Sequence, residues 1–139
     1  MGGIRRAGAL GSDSRGRLGR VRRGEVYDVQ LDPVVDGEAG RLRPCIVVSN
    51  EGVNAAVTRR GRGALTFVPL TSNVTIVHDF QVLVDDAEDI RAMGLGRTSK
   101  IQAEQVRTLG HGRIGRYRGQ TPAWIMHQVD DALRFHLSL

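Results

Sequence analysis

Residues 41–50 read RLRPCIVVSN, and residues 66–73 read TFVPLTSN. Each ends an apolar, β-rich run in small hydroxyl and amide side chains, as a buried strand does when it reaches a polar rim. Pro44 opens CIVVS, and the first residue of a strand tolerates a proline. Two such runs predict neighbouring strands that deliver the Arg43 guanidinium and the Thr71 and Ser72 hydroxyls to a common surface. A forked guanidinium beside hydroxyl donors suits a phosphate.

Upstream, Val26, Val29 and Leu31 read as a half-buried strand that Asp32 and Pro33 end. The following VVDGEAGRL carries two glycines and three charges and predicts a loop. Downstream, one helical turn is expected near residues 54–57, then a Gly-Arg loop over 59–63. ALTFVPL is a strand in which Pro69 predicts a bulge or an edge. FQVLV is a further strand, residues 85–98 are mostly loop, residues 101–109 form one strand, and GHGRIG is a turn. At the C-terminus the period changes. Thr121 fits an N-cap and Pro122 the first helical position. Ile125, Val129, Ala132, Leu133 and His136 share one helical face, with Asp130 and Arg134 an exposed pair. Short strands and one terminal helix indicate a mainly β single domain, an SH3-like β-barrel with a C-terminal helix.

A chain of 139 residues fits one domain with a true core. The lone Cys45 cannot form an intrachain disulfide or a cysteine-cluster metal site, and its apolar strand predicts an inert thiol. No apolar run approaches the ~20 residues of a bilayer span, and no signal-peptide pattern opens the chain, so a cytoplasmic protein without membrane association is expected. The positive charge is unevenly placed. Residues 1–23 hold seven arginines against Asp13 alone, a net of +6, so with +5 overall the remainder carries −1. Residues 1–21 are rich in Gly, Arg and Ser and predict a disordered basic tail, leaving 22–139 as the folded domain. Within that domain Arg59, Arg60 and Arg62 cluster, as do Arg113, Arg116 and Arg118. Segregation of this kind builds either a basic face for RNA or a set of solvated loops.

Five segments in order, RRGEVYDVQLDP at 22–33, the loop to Leu42, CIVVSN, TFVPLTSN and a late SKIQAEQVRTL at 99–109, resemble the MazF/PemK family of toxin endoribonucleases. The resemblance implies a PemK-type barrel that cuts RNA without a cofactor or metal, leaving a 2′,3′-cyclic phosphate and a 5′-hydroxyl. It implies a homodimer with single-stranded RNA crossing its interface. It also implies a MazE-like antitoxin whose acidic tail blocks that groove, and operator DNA bound through the antitoxin complex. A related barrel that poisons a protein target such as a topoisomerase, without cleavage, is the alternative.

Metal-free RNA cleavage needs a group to stabilise the phosphorane, a base for the 2′-hydroxyl and an acid for the leaving oxygen. In the family pattern Arg43 is the catalytic arginine and Thr71 the catalytic hydroxyl. Arg43 suits phosphorane stabilisation rather than proton exchange, since guanidinium holds its proton. Glu38, in the loop before Arg43, is expected to take the 2′-hydroxyl proton or to orient Arg43. Ser72, Asn73, His78, Arg41, Arg59 and Arg60 are expected to contact RNA, His78 by titration or by stacking on a base. The bland alternatives are a surface salt bridge at Arg43, a self-bonded turn at Thr71 to Asn73 and a solvated Glu38. Asp28 stands where the family usually has a large residue, and Leu42 where polar residues are frequent.

Overall fold

In the computed structural model, which describes residues 19–32 and 41–139, both apolar runs are strands of one antiparallel sheet. The strands are β1 (Glu25–Gln30), β2 (Leu42–Val47), β3 (Ala64–Thr71), β4 (Val82–Val84), β5 (Ser99–Ile101), β6 (Arg107–Gly110) and β7 (Ile114–Gln120). Three helices accompany them: α1 (Glu51–Arg60), α2 (Ala87–Ala92) and α3 (Ala123–Leu137). The order is β4-β5-β3-β2-β1-β7, with β6 also pairing β3.

The sheet is buried on both faces, so its central strands read as continuous apolar runs rather than simple alternations. Val26, Ile46, Val68 and Leu70 point to a core closed by Ile125, Val129 and Ala132 of α3. The intervening Tyr27, Val29, Cys45, Val47, Leu65 and Phe67 point to a second core with Val57 of α1, Leu109 and Ile114. Each fully buried side chain of Leu or Phe size contributes about 1.5–3 kcal/mol. The expected mainly β domain with a C-terminal helix is what forms. Among the described residues no helix is long and apolar enough to cross a membrane.

Several local expectations are corrected. Pro69 lies neither at an edge nor at a bulge against β2: it pairs with Cys45 in unbroken register. On the other side β3 pairs with β6 over residues 64–67 and with β5 over residues 70–71. Proline falls between those two ladders, where its missing N–H costs nothing, and Gln102 N–H donates to its carbonyl. The turn expected at 54–57 is the full helix α1, because Asn50 caps it by accepting from Val53 N at 2.8 Å. The acidic stretch taken for loop contains α2, capped by Asp86. The single strand expected over 101–109 is β5 and β6, separated by a 3-10 turn at Ala103–Gln105. Thr121 does not cap α3. Its N–H instead continues the sheet by donating to Gly24 O, and the helix starts after Pro122. Asp130 pairs with Arg23 at 2.6 Å, and Arg134 with Asp131, rather than with each other. His136 is exposed, while Leu133 is half-buried. Val21, at the edge of the expected tail, is fully buried in the second core.

Candidate active site

Because β2 and β3 run antiparallel with Cys45 opposite Pro69, the start of β2 lies beside the end of β3. That register brings Arg43 to Thr71, and Arg43 Nη1 donates to Thr71 Oγ1 at 3.4 Å. Asn73 N donates to the same oxygen at 3.2 Å. A hydroxyl oxygen has two lone pairs and one proton. Both lone pairs of Thr71 are engaged, so the proton is the group left to point outwards. The turn that ends β3 is thus self-bonded, with Asn73 Oδ1 accepting from Thr75 N, and it fixes a donor at the same time. Ser72 and Asn73 are exposed beside it.

Two depressions meet at this pair. The first, about 360 Å³, is lined by Leu31, Asp32, Arg41, Arg43, Thr71, Gln102, Gln105 and Arg107 among others. Arg41 makes a long ion pair to Asp32 at 3.6 Å on this rim. Arg107 donates to Leu31 O at 3.1 Å, which ties β6 to the end of β1. The second depression, about 370 Å³, shares Arg43 and Thr71 and adds Leu42, Ser72, Arg97, Ser99 and Arg118. Further arginines therefore flank the Arg43–Thr71 pair on both sides, with amides on the first and hydroxyls on the second.

Other expected site residues lie elsewhere. Arg59 and Arg60 are exposed at the end of α1, just before β3 begins. The eight residues of β3 put them about 23 Å of strand away from Thr71. His78 is exposed and stacks on Phe80 with centroids 5.0 Å apart, and it lines neither depression. Glu38 lies outside the described residues. Arg113 donates to Gln30 O and Arg116 pairs with Asp28, whereas Arg118, also held by Asp28, does line the second depression. Cys45 is inert, as its strand predicts. Burial pushes its thiol up to about 12, against smaller opposing effects of Arg107 and Arg43.

Sequence reasoning passed over Gln102, Gln105, Arg107 and Arg97. One signal was available for the glutamines. Residues three apart eclipse on a 3-10 turn, so Gln102 and Gln105 reach the same depression from either end of Ala103–Gln105. For Arg97 no local signal exists, since only the packing of the α2–β5 loop carries it here.

Comparison with known proteins matches residues 22–137 to the family of PemK-like, MazF-like toxins of type II toxin–antitoxin systems. Endoribonuclease MazF9 of Mycobacterium tuberculosis is 44% identical over 119 residues, covering 86% of this chain and 98% of that protein. Endoribonuclease EndoA of Bacillus subtilis is 31% identical over 127 residues, covering 86% and 96%. A mycobacterial endoribonuclease solved with its cognate antitoxin superposes with a TM-score of 0.63 at 24% identity, covering 86% of this chain and 96% of that one. The sheet, its helices and the Arg43–Thr71 pair stand on a chain that belongs to the PemK-like, MazF-like toxin family.

Proposed function

We propose that this chain is the toxin of a toxin–antitoxin pair and cuts single-stranded RNA at particular sequences by attack of the RNA's own 2′-hydroxyl, without a metal. The observation that carries this reading is the Arg43–Thr71 pair, in which the hydroxyl's lone pairs are filled and its proton is free for a phosphate oxygen. Arg43 places its forked N–H groups on the non-bridging oxygens, where negative charge grows as the phosphorane forms. Thr71 adds a neutral donor to the same group.

Glu38 is the proposed base or orienting group. The bond from Leu31 N to Arg41 O, 3.0 Å, fixes both ends of its loop beside the first depression. Gln102 and Gln105, on the same wall, offer amide donors and acceptors for base edges. Ser72 and Asn73 extend the donor set along the strand end. The names of the two similar endoribonucleases support the activity. A cognate antitoxin is the proposed partner, as in the mycobacterial complex, and its acidic residues suit the arginines around the two depressions.

The test is a cleaved oligonucleotide carrying a single 2′-deoxy substitution at the scissile nucleotide. It should resist cutting, while the all-ribose version yields a 5′-hydroxyl product. Cleavage of the deoxy substrate would show that water or another nucleophile attacks instead.

A further inference from the structure

The second depression shares Arg43 and Thr71 with the first and extends to the other side of them. Its walls are of two kinds. Leu42, Pro44 and Leu95 are apolar, and Leu42 is 60% exposed although it precedes the catalytic arginine. Ser72, Ser99, Arg97 and Arg118 are donors. Arg118 is committed: it donates to Gly94 O at 3.0 Å and to Asp28 Oδ1 at 2.8 Å. Ser99 Oγ donates to Arg97 O. Arg97 itself is exposed, and its guanidinium has no hydrogen-bond or ion-pair partner among the described residues.

The element that presents Arg97 is rigidly seated. Gly94 lies at φ +69°, and a Cβ there would come 2.1 Å from Arg118 O. A Cβ on Gly119 would come 2.2 Å from Ala92 O. The end of α2 and strand β7 thus meet backbone to backbone, a closeness that only glycine permits. With Arg118 bonded across the same junction, the loop over residues 94–98 has little freedom. A free guanidinium on a fixed loop, beside an exposed leucine and hydroxyls, matches one nucleotide unit: a phosphate for the cation and an apolar face for the base.

We infer that this depression is a subsite for the nucleotide adjoining the scissile phosphate, with Arg97 binding its phosphate and Leu42 contacting its base. The inference rests on the proposed nuclease reading and deepens it. Arg97 acts in binding and sits apart from the reacting atoms, so its loss weakens grip on RNA more than it slows the chemical step. Asp28 contributes indirectly, because it occupies Arg118 and leaves Arg97 as the open cation of this depression beside Arg43.

The test uses the full chain in an Arg43→Ala background, so that RNA stays intact, and a random-sequence 20-nucleotide single-stranded RNA pool as probe. Affinity is read by fluorescence anisotropy across a salt series. Adding Arg97→Gln should weaken binding about tenfold and flatten the slope of log affinity against log salt by about 0.7, the value for one phosphate contact on a single strand. Arg97→Lys should keep the slope, and Arg91→Gln, which removes an exposed charge on α2 outside the depression, should change neither quantity. Unchanged affinity and slope in Arg97→Gln, with RNA still bound by the background protein, would overturn the subsite while leaving the nuclease reading intact. So would a loss confined to binding of an acidic antitoxin peptide. A wild-type protein that neither binds nor cuts RNA would remove the nuclease reading and this inference together.

Discussion

Thr71 is the residue whose role is most open to a direct check. Its hydroxyl accepts from Arg43 and from Asn73, so the side chain anchors a turn, and its own proton is the proposed donor to phosphate. Thr71→Ser keeps the hydroxyl and should retain most activity. Thr71→Val keeps the shape and should lower kcat about 10²-fold, the lower range for loss of one transition-state donor, with little change in KM. A loss in Thr71→Ser with activity kept in Thr71→Val would mean that the methyl group matters, not the hydroxyl. Cys45 supplies a prediction of the opposite kind. Its thiol ionises near 9 when unfolded and about 12 when folded, so the native thiol should resist alkylation at pH 8 until the protein is denatured. The sign of its linkage follows: the folded state holds the proton more tightly, so this contribution is complete below pH 9 and is lost as pH rises towards 12. The stability advantage of wild type over Cys45→Ala should therefore shrink across that window in denaturant titrations. A constant difference would show that Cys45 stays accessible to water in the fold.

At the level of elements, the two strands that bear the site were legible because their chemistry is concentrated: a β-branched run, then hydroxyls. Helix α1 was underestimated, since VNAAVTRR has little amphipathic contrast and the decisive signal was the cap at Asn50. Asn50→Ala should lower stability by about 1 kcal/mol, seen as a fall in Tm with unchanged far-ultraviolet helix signal at low temperature. No change would mean that Glu51 and Asn54 hold the helix start without it. Strand β7 is hidden because GHGRIG reads as a turn and its last two residues open the strand. Gly115 and Gly119 are there because backbone approaches, and a Cβ at Gly115 would lie 3.2 Å from Asp28 O. Gly94→Ala combines a left-handed backbone with a contact on Arg118 O. It should destabilise the protein by about 2–4 kcal/mol, measured by urea denaturation. A loss below 1 kcal/mol would show that the α2–β7 junction yields easily, contrary to the rigid loop on which the Arg97 subsite depends.

Across the whole molecule, the architecture was readable from the order of five segments, whereas the composition of the site was not. Thr71 and Arg43 declared themselves because they end and begin strands. Gln102, Gln105 and Arg107 did not, because a polar residue on a 3-10 turn reads as solvated until the fold puts it against a neighbour. Charge clusters are no more legible: Arg59 and Arg60 stand exposed at the end of β3 opposite Thr71, while Arg116 and Arg118 pair with Asp28. The exposed apolar surface also belongs to this scale. Phe135 is 71% exposed and stacks on Phe80, which stacks on His78, with Ile76 exposed nearby. Such a patch suits the proposed homodimer better than solvent. Light scattering should give twice the 15.2 kDa of one chain, and Phe135→Asp should shift the protein towards monomer. A monomeric wild type at micromolar concentration would assign the patch to another partner.

Metal-free cleavage carried by Arg43 is checked by incubating the purified protein with a mixed cellular RNA pool in EDTA, beside Arg43→Ala of equal Tm, with the new 5′ ends mapped. Discrete 5′-hydroxyl ends at a shared short sequence, falling at least 10²-fold in the variant, are the predicted result. Intact RNA with folded wild-type protein, or equal cleavage by Arg43→Ala, would show that Arg43 does not carry metal-free cleavage.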